Sequence, residues 1–293
     1  MLAEWLTLPG AADQLATWSS ISGLDLARLG TTAEADEITD TAVTQPLVVA
    51  ATLLAHRELR NRGLLDNANL IVAGHSVGEI AAYAIAGVIS PDDAIALATT
   101  RGAEMAKACA VEPTGMSAVL GGDEQEVLAA LQDLDLVPAN RNATGQIVAA
   151  GRVEALAKLA ENPPEKARVR QLATAGAFHT QFMTPASDGY AAAAAKVATA
   201  EPVAGVTLLS NADGQPVASA ADAMAKLVAQ MTRPVRWDLC NATIRDRFAG
   251  AAQAAIVEFP PAGALVGIAK RELKGTPTHA IKTPTDLDGL AEL

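Results

Sequence analysis

The run Gly74-His75-Ser76-Val77-Gly78 sets a serine between two glycines, after the apolar stretch Ile71-Val72-Ala73 and before an Ala-rich segment. Gly-Xaa-Ser-Xaa-Gly on a strand–turn–helix is a nucleophile elbow, with the serine at the tip of a sharp, strained turn. Large side chains two residues to either side of the serine are expected to collide across the turn, hence Gly74 and Gly78. The backbone N–H of Val77 would point where an oxyanion forms, close to the positive end of the following helix. The pentapeptide also arises by chance as a Gly-rich turn with a buried capping serine. The flanking strand and helix point to the nucleophile instead.

A serine nucleophile needs a base, and the chain has four histidines. His56 stands beside Arg57 and Arg60 on an amphipathic helix, as on a solvated face. His75 lies inside the turn and is expected to pack beneath it, pointing away from Ser76. His279 lies in Pro277-Thr278-His279-Ala280-Ile281, which reads as a late edge strand, and His179 follows Gly176-Ala177-Phe178. These last two separate two enzyme classes. An α/β-hydrolase runs serine, acid, then a histidine near the C-terminus. That order selects His279 with Asp213 or Asp246, as in a serine esterase or thioesterase. The other class selects His179, with no acid placed to orient it.

The surrounding elements follow from local pattern. Asn69–Ala73 reads as the strand before the turn and Val77–Ala86 as the helix after it. Upstream, Met1–Gly30 reads as loop and short helix, and Ile38–Gly63 as a long helical stretch. Ser90-Pro91-Asp92-Asp93 opens another helix, with a capping serine, proline at the first helical position and acids in the first turn, running to about Cys109. Near Gly115 the rhythm becomes strand Met116–Leu120, helix Glu124–Asp133, strands Leu136–Asn140 and Gln146–Ala150, helix Val153–Glu161 and strand Arg168–Leu172. That order is the ferredoxin-like split. Afterwards helices are expected at Ala186–Ala200, Ala220–Met231, Asp238–Phe248 and Ala264–Leu273, with strands at Val206–Ser210 and Ala255–Phe259. The expected architecture is α/β. Residues 1–114 and 178–293 would form an α/β-hydrolase-like large domain with a parallel sheet, and 115–177 an inserted small ferredoxin-like (βαββαβ) domain. Ser76 precedes the insert and His179 lies at its far junction, so substrate is expected in a cleft between the two.

At 293 residues the chain is long enough for about two domains and needs no disulfide staple. Its net charge of −11 argues against nucleic acid, whose phosphates call for clustered Lys and Arg. Cys109 and Cys240 have no metal-site spacing and fit a reducing cytoplasm. No apolar run reaches the ~20 residues of a membrane helix. The N-terminus lacks the basic region and apolar core of a signal peptide, with Glu4 where that core would begin.

Several motifs in order resemble the malonyl-CoA:acyl-carrier-protein transacylases, in a form like those of actinobacteria. They are Thr44-Gln45-Pro46, Gly74-His75-Ser76-Val77-Gly78-Glu79, Arg101-Gly102, Gly115-Met116, Ala139-Asn140-Arg141-Asn142, Gly176-Ala177-Phe178-His179, Gln230 and Arg233-Pro234-Val235-Arg236-Trp237. The resemblance covers nearly the whole chain. It implies Ser76 as nucleophile and His179 as general base and then acid. It also implies that a main-chain carbonyl at Gln230, rather than a carboxylate, holds the second imidazole nitrogen. Arg101 would pair with the free carboxylate of malonyl, although by position alone it reads as an ordinary helix-surface arginine. Met105, one turn on, would share that pocket or pack in the core. Gln45 and Asn140 would line the acyl pocket, and Phe178 with Val77 looks like the malonyl-selecting pattern.

The implied reaction is ping-pong, from malonyl-CoA to the phosphopantetheine thiol of holo acyl carrier protein, with no cofactor or metal of the enzyme's own. A monomer in the cytoplasm, feeding fatty acid biosynthesis, is expected. The acidic carrier calls for a local basic patch, for which Lys270, Arg271 and Lys274, or Arg233 and Arg236, are candidates. One departure stands out. The family opens with a strand and a Gly-Gln-Gly-Ser-Gln loop whose glutamine serves the oxyanion hole, and nothing here matches that segment of about fifteen residues. An upstream start or a shortened form is expected. A shortened form would be poorly stable and weakly active, or a non-catalytic carrier-binding module, since one oxyanion donor is worth roughly 10²–10³ in rate.

Overall fold

The computed structural model describes residues 1–65, 69–251 and 253–290. The N-terminal residues are more helical than their sequence suggests: α1 (Ala11–Ser22) and α2 (Leu26–Thr31) bury Leu15, Trp18, Leu26 and Leu29, and the short α3 (Ala35–Ile38) follows with no buried residue. The long α4 (Thr41–Asn61) starts at Asp40, whose carboxylate caps the Ala42 N–H at 2.7 Å. Strand β1 (Leu70–Val72) leads through the serine turn into α5 (Gly78–Ile85), which carries Ile80, Ala81 and Ala82 into the main core.

Next comes α6 (Pro91–Cys109), capped by Ser90, whose hydroxyl accepts the Asp93 N–H at 3.0 Å. It crosses α4 closely. A Cβ on Gly102 would lie 2.7 Å from the Thr41 carbonyl oxygen and 3.0 Å from Ala42 Cα. Only glycine lets the two backbones approach so near, and this brings Arg101 beside Gln45.

The chain then forms β2 (Thr114–Gly121), α7 (Glu124–Asp133), β3 (Val137–Ala143), β4 (Gln146–Arg152), α8 (Val153–Glu161) and β5 (Ala167–Gln171). The four strands lie in the order β5-β2-β4-β3, with every pairing antiparallel. This is the ferredoxin-like arrangement, with its own small core of Val119, Val127, Leu131, Ile147 and Leu159.

The remainder runs through α9 (Thr184–Ala194), β6 (Val206–Leu208), α10 (Ala220–Ala229), β7 (Val235–Arg236), α11 (Trp237–Phe248), β8 (Ile256–Glu258), α12 (Ala264–Glu272) and β9 (Thr278–Ala280). β1 pairs parallel with β6, and β8 parallel with β9. Two residues make a link that the sequence reading did not foresee. β7 joins the ferredoxin-like sheet as a fifth strand, parallel to β3, with Asn140 opposite Val235 and Arg141 opposite Arg236. The fold is α/β with parallel pairing around the serine turn. No described helix is long and apolar enough to cross a membrane.

Candidate active site

Ser76 follows β1 at the tip of its turn with φ 54°, in the left-handed region where a side chain is strained. Two contacts hold it there. Its own N–H donates to Asn211 Oδ1 at 2.9 Å, and Asn211 Nδ2 donates to the Gly74 carbonyl at 2.7 Å. Gly74 is obligatory, because a Cβ there would lie 2.0 Å from the Gly78 carbonyl oxygen. The symmetrical expectation for Gly78 is wrong: nothing lies within 4 Å of a Cβ built on it. The turn closes on one side only, because α5 begins at Gly78 and turns its side chains away. The Val77 N–H donates to no acceptor among the described residues.

His179 reaches the serine from the loop after β5. This loop is pinned by the Ala177 N–H on Thr114 Oγ1 (3.0 Å) and by the Thr180 hydroxyl on the Ala177 carbonyl (2.7 Å). His179 also has a left-handed backbone, φ 62°. Its Nε2 lies 2.7 Å from Ser76 Oγ, and its Nδ1 lies 2.9 Å from the main-chain oxygen of Gln230. A carbonyl only accepts, so Nδ1 carries the proton and Nε2 accepts the Ser76 O–H. Gln230 directly follows α10, where carbonyls lack intrahelical partners. Burial, with the Arg101 charge, pushes His179 down to about 3, so it stays neutral and able to take a proton.

Arg101 is 1% exposed. Its Nη1 donates to Gln45 Oε1 at 2.7 Å and its Nη2 to Gln230 Oε1 at 2.8 Å and Ser76 Oγ at 3.4 Å. Its position is the reverse of a helix-surface arginine. Met105 is buried on the same helix, and its sulfur accepts from Gln45 Nε2 at 3.4 Å. Ser76, His179, Gln230, Arg101, Gln45 and Met105 thus form one connected group, with the Val77 amide beside it.

Two expected pocket residues make no side-chain hydrogen bond to that network among the described residues. Asn140 is buried in β3 with no side-chain hydrogen bond to the group among the described residues. Phe178 is half-buried and packs against the cluster of Met116, Ala139 and Ala177. The other histidines also differ in part from expectation. His75 is held by Asn142 Oδ1 at 2.9 Å and stands edge-on to Trp237. His56 is not on a solvated face: it packs against the Phe259 ring, and burial lowers it to about 4. His279 lies in β9 opposite Val257, bonded to neither Ser76 nor an acid among the described residues, and Asp213 is ion-paired with Lys226 at 3.1 Å. Of the basic candidates, Arg236 is committed to Asp238, while Arg233, Lys270, Arg271 and Lys274 are exposed.

Sequence reasoning missed Asn211 and Glu79. Glu79 is 0% exposed and accepts from Asn211 N at 2.7 Å and from Gln230 Nε2. Burial pushes it up to about 7. Glu79 stands in the elbow motif that carries the resemblance, but without a role there, and an acid in the first turn of a helix reads as a solvent-facing dipole partner. No group of three His, Cys, Asp or Glu side chains suited to a metal occurs among the described residues.

Known proteins similar to this chain point to one family. The acyl transferase domain family matches residues 14–284. The malonyl CoA-acyl carrier protein transacylase of Mycolicibacterium smegmatis is 78% identical over 293 residues, spanning the whole of both chains. The crystal structure of MCAT from Mycobacterium tuberculosis is similar at 71% identity and a TM-score of 0.95, covering 99% of this chain and 94% of its own. A malonyl-transacylase solved in complex with its type II PKS acyl-carrier protein, PlMCAT:AntF, is similar at 28% identity and a TM-score of 0.89, covering 100% of this chain and 94% of its own. The chain belongs to the acyl transferase domain family, among the malonyl CoA-acyl carrier protein transacylases.

Proposed function

We propose that this chain moves a malonyl group from coenzyme A to the phosphopantetheine thiol of acyl carrier protein through a malonyl ester on Ser76, in fatty acid synthesis. One observation carries the acyl specificity. A buried guanidinium whose hydrogen-bond partners among the described residues are all neutral stands 3.4 Å from the hydroxyl of a serine already bonded to a neutral imidazole. A carboxylate two bonds beyond the thioester carbonyl gives that charge a partner.

Ser76 Oγ attacks the thioester carbonyl while its proton passes to His179 Nε2. The oxyanion forms beside the Val77 N–H. Collapse expels the coenzyme A thiolate, which takes the proton from His179 and leaves the malonyl ester. The carrier thiol then gives its proton to His179, attacks the ester and frees Ser76, which recovers the proton. The same groups serve both half-reactions, and neither step calls on a cofactor. Every group comes from one chain, so a monomer suffices. The ferredoxin-like unit of residues 115–177 acts as an inserted lobe over the serine, and the carrier docks near the exposed Arg233 or the Lys270, Arg271 and Lys274 group in the cytoplasm.

Incubation with radiolabelled malonyl-CoA, then holo carrier, tests this reading. Label should reach Ser76, pass to the carrier, and vanish in Ser76→Ala and His179→Ala but persist in His279→Ala. No label on intact protein would indicate a carrier-binding module, and loss only in His279→Ala would indicate a hydrolase.

A further inference from the structure

Glu79 has no exposed surface, and the steps above do not use it. Both of its oxygens face donors: Oε1 accepts the Asn211 N–H at 2.7 Å, and Oε2 accepts from Gln230 Nε2. Such a site is built for a carboxylate, because an amide there would set its own NH₂ against one of those donors.

From Glu79 the bonds branch to every working group. Gln230, with its Nε2 held, turns Oε1 to Arg101 Nη2 at 2.8 Å, while its main-chain carbonyl holds His179 Nδ1 at 2.9 Å. Asn211, with its backbone N–H held, places Oδ1 on the Ser76 N–H at 2.9 Å. Glu79 and Arg101 form no direct ion pair. The Gln230 amide stands between the two charges, its nitrogen toward the anion and its oxygen toward the cation, and flipping it would reverse both contacts.

We propose that Glu79 is a positioning residue whose carboxylate locks the Gln230 amide and so aims Arg101 at the carboxylate of the acyl group. The proposal rests on the malonyl reading above. The other ionisable groups facing Glu79 are Tyr83 of α5, Tyr190 of α9 and Cys240 of α11, which burial keeps neutral, so Arg101 is the one charge opposite it. Burial holds the Glu79 carboxyl near 7. Protonation therefore loosens the amide on the acid side of neutrality, where His179 remains neutral.

The test compares rates of Ser76 labelling from malonyl-CoA and from acetyl-CoA, on both sides of pH 7, in the full chain and in Glu79→Gln, Glu79→Asp and Gln230→Met. In the unmodified protein malonyl labelling should decline as pH falls below about 7. In Glu79→Gln that decline should disappear and malonyl labelling should drop at least about tenfold, while acetyl labelling, which does not need Arg101, drops less than about threefold. Glu79→Asp should recover part of the malonyl rate. Gln230→Met removes the same amide from the other side and should lower the malonyl-to-acetyl labelling ratio as far as Glu79→Gln does, whatever it does to the acetyl rate itself, with the ratio in the double variant no lower than in either single. It carries the test alone if Glu79→Gln fails to fold. Equal losses for both acyl groups, an unchanged pH profile, or additive single losses would overturn the proposal. An unmodified chain that takes no malonyl label would instead overturn the malonyl reading.

Discussion

Arg101 carries a positive charge to a place that water does not reach, and no described carboxylate lies within ion-pair distance of it. A buried charge without a full partner is costly. Burial lowers its pKa, opposed by the nearby Tyr190 and Glu79, and its Nε has no hydrogen-bond partner among the described residues. A substrate carboxylate relieves that cost, so discrimination between acyl groups should reside here. Arg101→Ala should lower the malonyl-to-acetyl labelling ratio of Ser76 by tens to hundreds of fold, from the loss of about 1.5–3 kcal/mol in charge-assisted bonding. Arg101→Lys should recover little, since an ammonium cannot span Gln45 and Gln230 as the guanidinium fork does. An unchanged ratio in both variants would remove Arg101 from acyl recognition. At this scale the serine was legible from its pentapeptide, whereas Arg101 and Gln230 were reached only through whole-chain resemblance. Nothing in the spacing of a helix arginine says that its face is turned inward. Asn211 carried no signal and Glu79 stood in the elbow motif without a role, because what they do depends on a meeting 132 residues apart in sequence.

At the scale of elements, the elbow works because α5 starts one residue after the Val77 amide and returns over Gly74. The two glycines of the motif should therefore behave differently. Gly74→Ala forces a methyl into backbone at 2.0 Å and should abolish folding of the turn, read as loss of soluble protein or a fall in Tm of several degrees together with loss of label. Gly78→Ala meets nothing within 4 Å and should leave Tm within a degree or two, helped by alanine's better helix propensity. Equal damage from both would show that the turn closes in another way. Elements with strong local signals read well. Ser90 with Pro91 placed the start of α6, and α8 runs over Val153–Glu161 as its amphipathic pattern indicates. The order of the ferredoxin-like strands followed from the alternation of short apolar runs and helices. β7 did not read, because two residues carry no periodicity and Val235–Arg236 becomes a strand only through the edge that β3 offers it.

For the whole molecule, the buried titratable groups set how stability responds to acid. His179, held near 3, and His56, held near 4, are neutral in the fold but take up a proton near 6.5 once exposed by unfolding. The unfolded state thus binds more protons, so their contribution is complete above pH 6.5 and is lost as pH falls toward those values. His75, also lowered by burial, acts in the same direction. Glu79 acts in the opposite one: with a folded value near 7 and an unfolded value near 4.3, it favours the folded state as pH falls between the two, then adds nothing further. Several histidines outweigh one carboxylate, so Tm should fall from about pH 6.5 downward; near pH 4 the Glu79 offset and the His56 contribution end together, so these two groups do not steepen the fall further. The contribution of His56 can be isolated, because it lies away from the serine and packs on Phe259. His56→Phe keeps an aromatic ring there and removes the proton site. Its Tm-against-pH curve should be flatter below pH 6.5, by up to about 3 kcal/mol of stability at pH 4, with Ser76 labelling at neutral pH unchanged. A curve parallel to that of the unmodified protein would mean that His56 becomes solvated and protonated without unfolding, and that acid sensitivity comes from the catalytic histidine and its neighbours alone.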